Sequence, residues 1–224
     1  MRNNKKQIII DSRKVYIKPN FSWNTEIKCI PYEERAGFLY VGRLERIKGI
    51  DLLLRAWRKL NEMHQSGLFE IDRNINKTPC LTVCGTGPMK KACTDYVNRF
   101  CLNEVVKYTG QVSHEEVLIR MSKVKALIMP SRCFESFPMI IVEAMSVGTP
   151  VITCKGGNAE ALIRMNDIGI AVDATVGALC DAVNKMNAEN RASCERVKRA
   201  FLEKYTPIKN LEALRQIYDI SEVC

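Results

Sequence analysis

The sequence predicts a doubly wound α/β fold: a parallel sheet of about six strands with helices on both faces. Three observations carry that prediction. Six short apolar runs recur along the chain: GFLYVG (37–42), CLTVCG (80–85), VVKYTG (105–110), VKALIMP (124–130), PVITC (150–154) and GIAVD (169–173). They are almost continuously apolar, the pattern of parallel strands covered on both faces. Stretches of helical periodicity separate them, and strand–helix alternation of this length builds a parallel sheet. Finally, glycine gathers directly behind the strands, in VGRLERIKG, CGTGP and TGQVS. Right-handed crossovers place all these loops along one edge, and such sheets bind ligands outside the carboxyl ends of their strands.

Taken in order, residues 1–14 read as a lead-in. They are basic, but their apolar stretch is too short for a signal peptide. RKVYIKPNFSW enters a domain spanning 15–205. Helices are expected over 49–65, 88–101, 114–122, 137–147, 158–164 and 175–188. In the first, Leu52, Leu53, Ala56, Trp57 and Leu60 fall at helical spacing and form a core stripe. The stretch LNEMHQSGLFEIDRNINKTP is polar and irregular, a surface excursion before the second strand. Ser113 caps the third helix, leaving His114 on the surface, and His64 ends a polar helix. After SCERVKRAFLEKY, Pro207 opens a last helix at a first-turn position. Its segment, 206–224, carries Ile208, Leu211, Leu214, Ile217 and Tyr218 on one apolar face.

Composition narrows the function. The chain has 224 residues, 46% hydrophobic and 26% charged, as in ordinary globular proteins. No apolar run is long enough to span a membrane. Ten cysteines form no C-x-x-C pair, and several sit inside strand-like runs. They read as reduced core residues in a cytoplasmic protein. Only two histidines are present, neither at ligand spacing, which speaks against zinc. The net charge of +9 favours anionic partners. Basic residues are interleaved with glutamates, without a basic stripe among aromatics, so nucleic acid is not the expected partner.

Two loops carry the chemistry. In GRLERIKG, Gly42 allows a tight turn, and Arg43 and Lys48 offer a planar fork and a movable point charge, a pair suited to a diphosphate. Two solvated surface charges are the plainer reading. Gly85, opening GTGP, is by itself only a tight turn. In FESFPMIIVEAMSVGTPVI, Pro138 suits the first turn of a helix starting near Ser136, whose free N–H groups would attract phosphate. Glu135 precedes that helix and Glu143 lies on its second turn. Each carboxylate can accept two hydrogen bonds from a vicinal diol, so the pair could hold two sugars either side of a diphosphate. A capping glutamate and an exposed glutamate remain the alternative.

FLYVGRLERIKGIDLLLRAWRKL, LTVCGTGP, VVKYTGQVSHEEVLIRMSKVKALIMPSRCFESFPMIIVEAMSVGTPVIT and GGNAEAL together resemble the C-terminal domain of glycosyltransferase family four, over about residues 15–220. These are retaining enzymes of GT-B architecture. The resemblance implies a Rossmann-like domain forming one half of that fold. Arg43 and Lys48 match the pair that holds the donor diphosphate, and Glu135 and Glu143 match the E-x7-E glutamates. By resemblance Glu135 meets the transferred sugar and Glu143 the ribose. Ser136, Phe137, Pro138 and Met139 would touch sugar and phosphate through their backbone, and Gln111 and Val112 would border the base. Arg43, Lys48 and Glu135 are then the catalytic candidates, with Gly42 and Gly85 shaping the donor site.

The expected donor is a UDP- or GDP-sugar, bound without a metal because no D-x-D pair exists. The acceptor, a glycan or lipid-linked molecule, would be held by an N-terminal domain that these residues do not contain. In the family the final helix crosses to that domain, so its apolar face here suggests a partner protein or self-association. The basic surface suggests contact with the inner face of a membrane. Three alternatives stay open: a split enzyme, a non-catalytic nucleotide-sugar-binding module, and an epimerase of related architecture. Lys155 departs from the aspartate or serine often found in its stretch.

Overall fold

A computed structural model describes residues 15–23, 27–66, 79–133, 135–188 and 194–218. Six strands form one sheet: β1 (Phe38–Val41), β2 (Leu81–Cys84), β3 (Val106–Gly110), β4 (Ala126–Met129), β5 (Val151–Cys154) and β6 (Gly169–Val172). Their order is β3-β2-β1-β4-β5-β6, with every neighbouring pair parallel. Each expected apolar run became a strand. In β4 and β5 every residue is buried, which is why their sequences never alternate.

Eight helices complete the described fold: α1 (Ile50–Gln65), α2 (Lys90–Arg99), α3 (His114–Lys123), α4 (Met139–Ser146), α5 (Gly157–Asn166), α6 (Val176–Ala188), α7 (Cys194–Lys204) and α8 (Pro207–Ile217). Adjacent residues on β1 face opposite ways. Phe38 joins a core with Trp57, Leu60, Val97, Leu179 and Val183 from α1, α2 and α6. Leu39 joins one with Met121, Ile141, Met145, Leu162 and Phe201 from α3, α4, α5 and α7. The predicted stripe on α1 is wholly buried, and the Trp57 indole N–H donates to the Pro79 carbonyl at 2.8 Å. Truncating such a tryptophan costs about 3–5 kcal/mol.

Ahead of β1, Arg35 is a buried staple that sequence reading overlooked. It is 2% exposed. Its guanidinium donates to the carbonyls of Ile30 (2.9 Å) and Val147 (3.1 Å) and to the Thr149 hydroxyl (2.7 Å). One side chain thus ties the entry segment to the turn before β5.

Several expectations need correction. The fourth helix begins at Met139, and Pro138 is its N-cap in an extended conformation, not a first-turn residue. The ring of Pro138 disfavours helical geometry at Phe137, which postpones the helix. The second helix spans only Lys90–Arg99, with Cys101 beyond it in the left-handed region at φ 52°. Cysteines 84, 93, 154, 180 and 194 are buried as expected, but Cys80 and Cys101 are exposed. The irregular excursion starts later than expected, because α1 continues to Gln65; residues 67–78 lie outside the described residues, as does the lead-in 1–14. Thr206 caps α8, and Pro207 occupies its first turn as expected. On α8, Ile208, Leu211 and Tyr218 are exposed, as are Ile17 and Trp23 of the entry segment. That segment touches α8 directly, since the Asn210 side-chain amide donates to the Pro19 carbonyl at 3.2 Å.

Candidate functional site

The strand order reverses between β1 and β4, and the loops leaving these two strands meet there. Gly49 makes the approach feasible. Its φ is +75°, and a Cβ at this position would lie 2.0 Å from the Pro130 carbonyl oxygen. The Arg132 N–H donates to the Ile47 carbonyl at 2.9 Å, locking the loops together. Lys48 and Glu135, 87 residues apart in sequence, are brought into contact, with Nζ 2.7 Å from Oε1.

Beside this pair the loops after β1, β2 and β3 interlock through backbone alone. The Gly42 N–H donates to Cys84 (3.0 Å), Leu44 to Thr86 (3.0 Å) and Gly85 to Gly110 (2.7 Å). Gly85 has φ +136°, and a Cβ there would stand 2.0 Å from the Gly42 carbonyl oxygen. The result is a cavity of about 640 Å³ whose walls include Gly42, Arg43, Gly85, Thr86, Gln111 and Val112. A second cavity, of about 440 Å³, is walled by Tyr40, Arg43, Lys48, Ser131, Glu135, Phe137 and Met139 among others. Both include Val41, Gly42 and Arg43, so they adjoin.

Nine of the expected site residues therefore border this double cavity. Three do not. Ser136 is exposed beside it, Pro138 is buried at the start of α4, and Glu143 lies on the second turn of α4. Glu143 meets His114 Nε2 at 3.1 Å. His114 is exposed, as expected of a surface residue, but its contact with Glu143 was not foreseen. His64 borders neither of these two cavities.

Electrostatics separates the two cationic candidates. The hydrogen bond from Lys48 to Glu135 raises the pKa of the lysine despite partial burial, so the ammonium stays charged well above neutrality. Arg43 points into solvent and pairs with Glu45 at 2.5 Å. Its backbone is held more firmly, because the Tyr40 hydroxyl donates to its carbonyl at 2.9 Å. Burial pushes the Tyr40 phenol well above its usual range, with smaller contributions from Cys93, Glu45 and Glu135. It therefore remains a neutral donor.

Asn158 was also missed. On α5, its amide donates to the carbonyls of Glu135 (3.2 Å) and Ser136 (2.7 Å), fixing the loop that carries Glu135. Nothing in GGNAEAL announces this role, because it depends on β5 lying beside β4. Lys155, unexplained by the sequence, pairs with Asp173 at 3.1 Å on the surface. Among the described residues, no three His, Cys, Asp or Glu side chains converge to hold a metal ion. No described helix is long and apolar enough to cross a membrane.

A parallel sheet with adjoining ligand-sized cavities at its switch point defines a doubly wound ligand-binding α/β protein. Comparison makes the class specific. The family described as "Glycosyl transferases group 1" matches residues 24–202, and the chain belongs to that family. Glycogen synthase of Mycobacterium tuberculosis is 27% identical over 172 residues, which are 76% of this chain and 38% of the synthase. Among solved structures, the apo lipopolysaccharide outer core galactosyltransferase WaaB superposes with a TM-score of 0.72 at 18% identity, covering 94% of this chain and 57% of that one. Anabaena HepE, solved with UDP and glucose, superposes at 0.65 with 16% identity, over 85% of this chain and 50% of its own. The fold is thus that of known glycosyltransferase structures. The chain spans about a third of the length of the curated relatives it matches.

Proposed function

We propose that residues 15–205 are the donor-binding, C-terminal domain of a retaining glycosyltransferase of family four, with α8 (Pro207–Ile217) docking on the acceptor half. The enzyme would move a hexose from a UDP- or GDP-sugar to a glycan or lipid-linked acceptor, at the cytoplasmic side of a membrane. The observation that carries this reading is the Lys48–Glu135 pair, seated in a cavity that adjoins the glycine-walled one. A nucleotide sugar has the matching sequence of parts: base against Gln111 and Val112, diphosphate between Arg43 and Lys48, hexose against Glu135. HepE's complex with UDP and glucose supports the same ligand class.

In this reading Arg43 and Lys48 neutralise the charge that develops on the leaving diphosphate, a form of transition-state stabilisation that requires no resident metal. Glu135 accepts hydrogen bonds from the hexose hydroxyls and orients Lys48. Asn158 holds the Glu135 loop in register. Glu143 takes the ribose hydroxyls, with His114 beside it. Transfer also requires the acceptor at contact distance, an effect that can supply several kcal/mol of the barrier. The acceptor half would come from another chain or from a longer form of this one. The exposed apolar residues of α8 and of the entry segment are the surface on which it would rest.

Calorimetry against a panel of UDP- and GDP-sugars tests donor binding. A transfer assay on this chain, alone and with an acceptor domain, tests the rest. Binding of one nucleotide-sugar class without transfer by the isolated chain is the expected result. Acceptor-dependent turnover by the isolated chain as a clean monomer would overturn the half-enzyme reading. Donor binding with no transfer under any supplementation would leave a nucleotide-sugar-binding module.

A further inference from the structure

Cys29, in the entry segment, and Cys194, the first residue of α7, border neither donor cavity. One stands before β1 and the other after β6, yet the fold brings them together. Both wall a third cavity, of about 290 Å³, with Tyr32, Glu33 and Glu195 among its other walls. They also meet over Gly148. A Cβ on that glycine would lie 2.5 Å from the Cys29 sulfur and 2.7 Å from the Cys194 carbonyl oxygen. The two thiols are themselves in side-chain contact.

Their surroundings differ. Cys29 is half-buried, and the Arg35 guanidinium donates to its sulfur at 3.5 Å. The Lys198 ammonium is near enough to interact with the same sulfur, and is fixed by the carbonyls of Ile27 (3.3 Å) and Ser146. Two cations thus stand where a thiolate, the form that attacks peroxides, would need them. Cys194 is buried, which raises its thiol to about 11, with a lowering from Arg35 and a further rise from Cys29. It stays protonated.

We propose that Cys29 and Cys194 are a peroxide-sensitive thiol pair that closes to a disulfide. The Cys29 thiolate attacks one oxygen of hydrogen peroxide. The O–O bond breaks, leaving a sulfenic acid on Cys29 and a hydroxide that takes up the thiol's former proton and departs as water. The Cys194 sulfur then displaces the sulfenic hydroxyl, which carries off the Cys194 proton as a second water. The pair of sulfurs gives up two electrons and the peroxide accepts them. The cavity that both residues wall is the way in for the oxidant.

The bond would join the chain before β1 to the chain after β6, closing a covalent loop around all six strands. Cross-links over long loops restrict the unfolded chain most. The oxidised form is therefore the more heat-resistant one. This inference does not rest on the transferase reading, since the pair lies outside the donor cavities.

The test treats the full chain with hydrogen peroxide, blocks the remaining thiols and digests it with trypsin without reduction. Peptide 29–35 is expected joined to peptide 192–196, two hydrogens lighter than the separate peptides, and released by dithiothreitol. The oxidised protein should melt at least about 5 °C above the reduced one. Cys29→Ser and Cys194→Ser should each lose the joined peptides and the rise in melting temperature. In Cys194→Ser, dimedone should trap a sulfenic acid on Cys29. Several results would overturn the proposal: no joined peptides at a peroxide dose that oxidises the exposed Cys80 or Cys101; Cys29 joined to a different cysteine; dimedone on Cys194 in Cys29→Ser but none on Cys29 in Cys194→Ser; or a joined form that melts no higher than the reduced protein.

Discussion

The two adjoining donor cavities are built from different materials. One, above β1, β2 and β3, has Gly42, Gly85 and Gly87 among its walls, on loops held together by backbone bonded to backbone. The other, between β1 and β4, is walled mostly by side chains, and two of its three charges, Lys48 and Glu135, already face one another. The first is a matter of shape: only a hydrogen stands at Gly85 where a Cβ would clash, so the loops interlock whatever the pH or salt. The second is electrostatic, and its geometry is conditional on an ion pair about a third exposed to water. Pairs of that kind add little to stability. Mutations in the first cavity should therefore damage folding and binding together, and mutations in the second should damage binding alone.

The sharpest way to break this contrast is Gly85→Ala. Its Cβ must displace the Gly42 carbonyl oxygen, and its φ is one that L side chains rarely adopt. Strain and overpacking together should cost about 2–5 kcal/mol of stability. Denaturant unfolding measures it, and a wild-type midpoint would refute the shape argument.

Next in size, Lys48→Ala and Arg43→Ala should each weaken nucleoside diphosphate binding by roughly 1.5–3 kcal/mol, the range for charge-assisted hydrogen bonds. Lys48→Ala should be the worse, because it leaves Glu135 facing the diphosphate unpaired. Stability should change by less than about 1 kcal/mol. Glu135 holds the Lys48 pKa above its ordinary value, so the pair's contribution is complete below the lysine range and fades only as pH rises past it. No contribution of Lys48 to pH dependence is expected between about pH 6 and 9. Calorimetry on the variants and across that pH window checks all three statements.

The glutamates should separate by ligand. Glu135→Ala should spare UDP and GDP but weaken their sugars, whereas Glu143→Ala should weaken both forms. Identical binding of all four ligands by both variants would end the diol reading. His114→Ala should have a smaller effect, under about threefold in nucleotide affinity, because its contact with Glu143 is exposed. The smallest expected change is none: donor affinity in EDTA should equal that in magnesium or manganese. A tenfold loss on chelation would mean that a metal shares the diphosphate with Arg43 and Lys48.

Much of this was legible in the chain before any coordinates. Continuous apolar runs such as ALIM and VITC, short, bounded by proline or glycine and alternating with helical stretches, read as strands covered on both faces, and a helix stripe ending in Trp57 and Leu60 reads as core. The glycines behind the strands named the functional edge. Boundaries were less legible around Pro138, where a proline's preference for a helix start competes with its restriction of the preceding residue. Arg35 was invisible, because an arginine in an N-terminal segment looks like surface until carbonyls from distant turns close around it.

Local rules acting within about one turn or one strand determine the order of elements, their hydrophobic faces and the caps at Ser113 and Thr206. Those rules need no knowledge of neighbours. Arg43 meets Glu45 within its own loop, but the pairings across the site were decided by tertiary structure. Lys48 reaches Glu135 because β4 lies beside β1 and Gly49 lets their loops touch. Glu143 meets His114 because α4 packs on α3, and Asn158 holds the Glu135 loop because β5 lies beside β4. The sequence assigned Lys48 to phosphate and Glu135 to sugar as separate tasks. Only the crossover that reverses the sheet makes the two charges each other's partner, since contact across 87 residues depends on strand order and not on spacing.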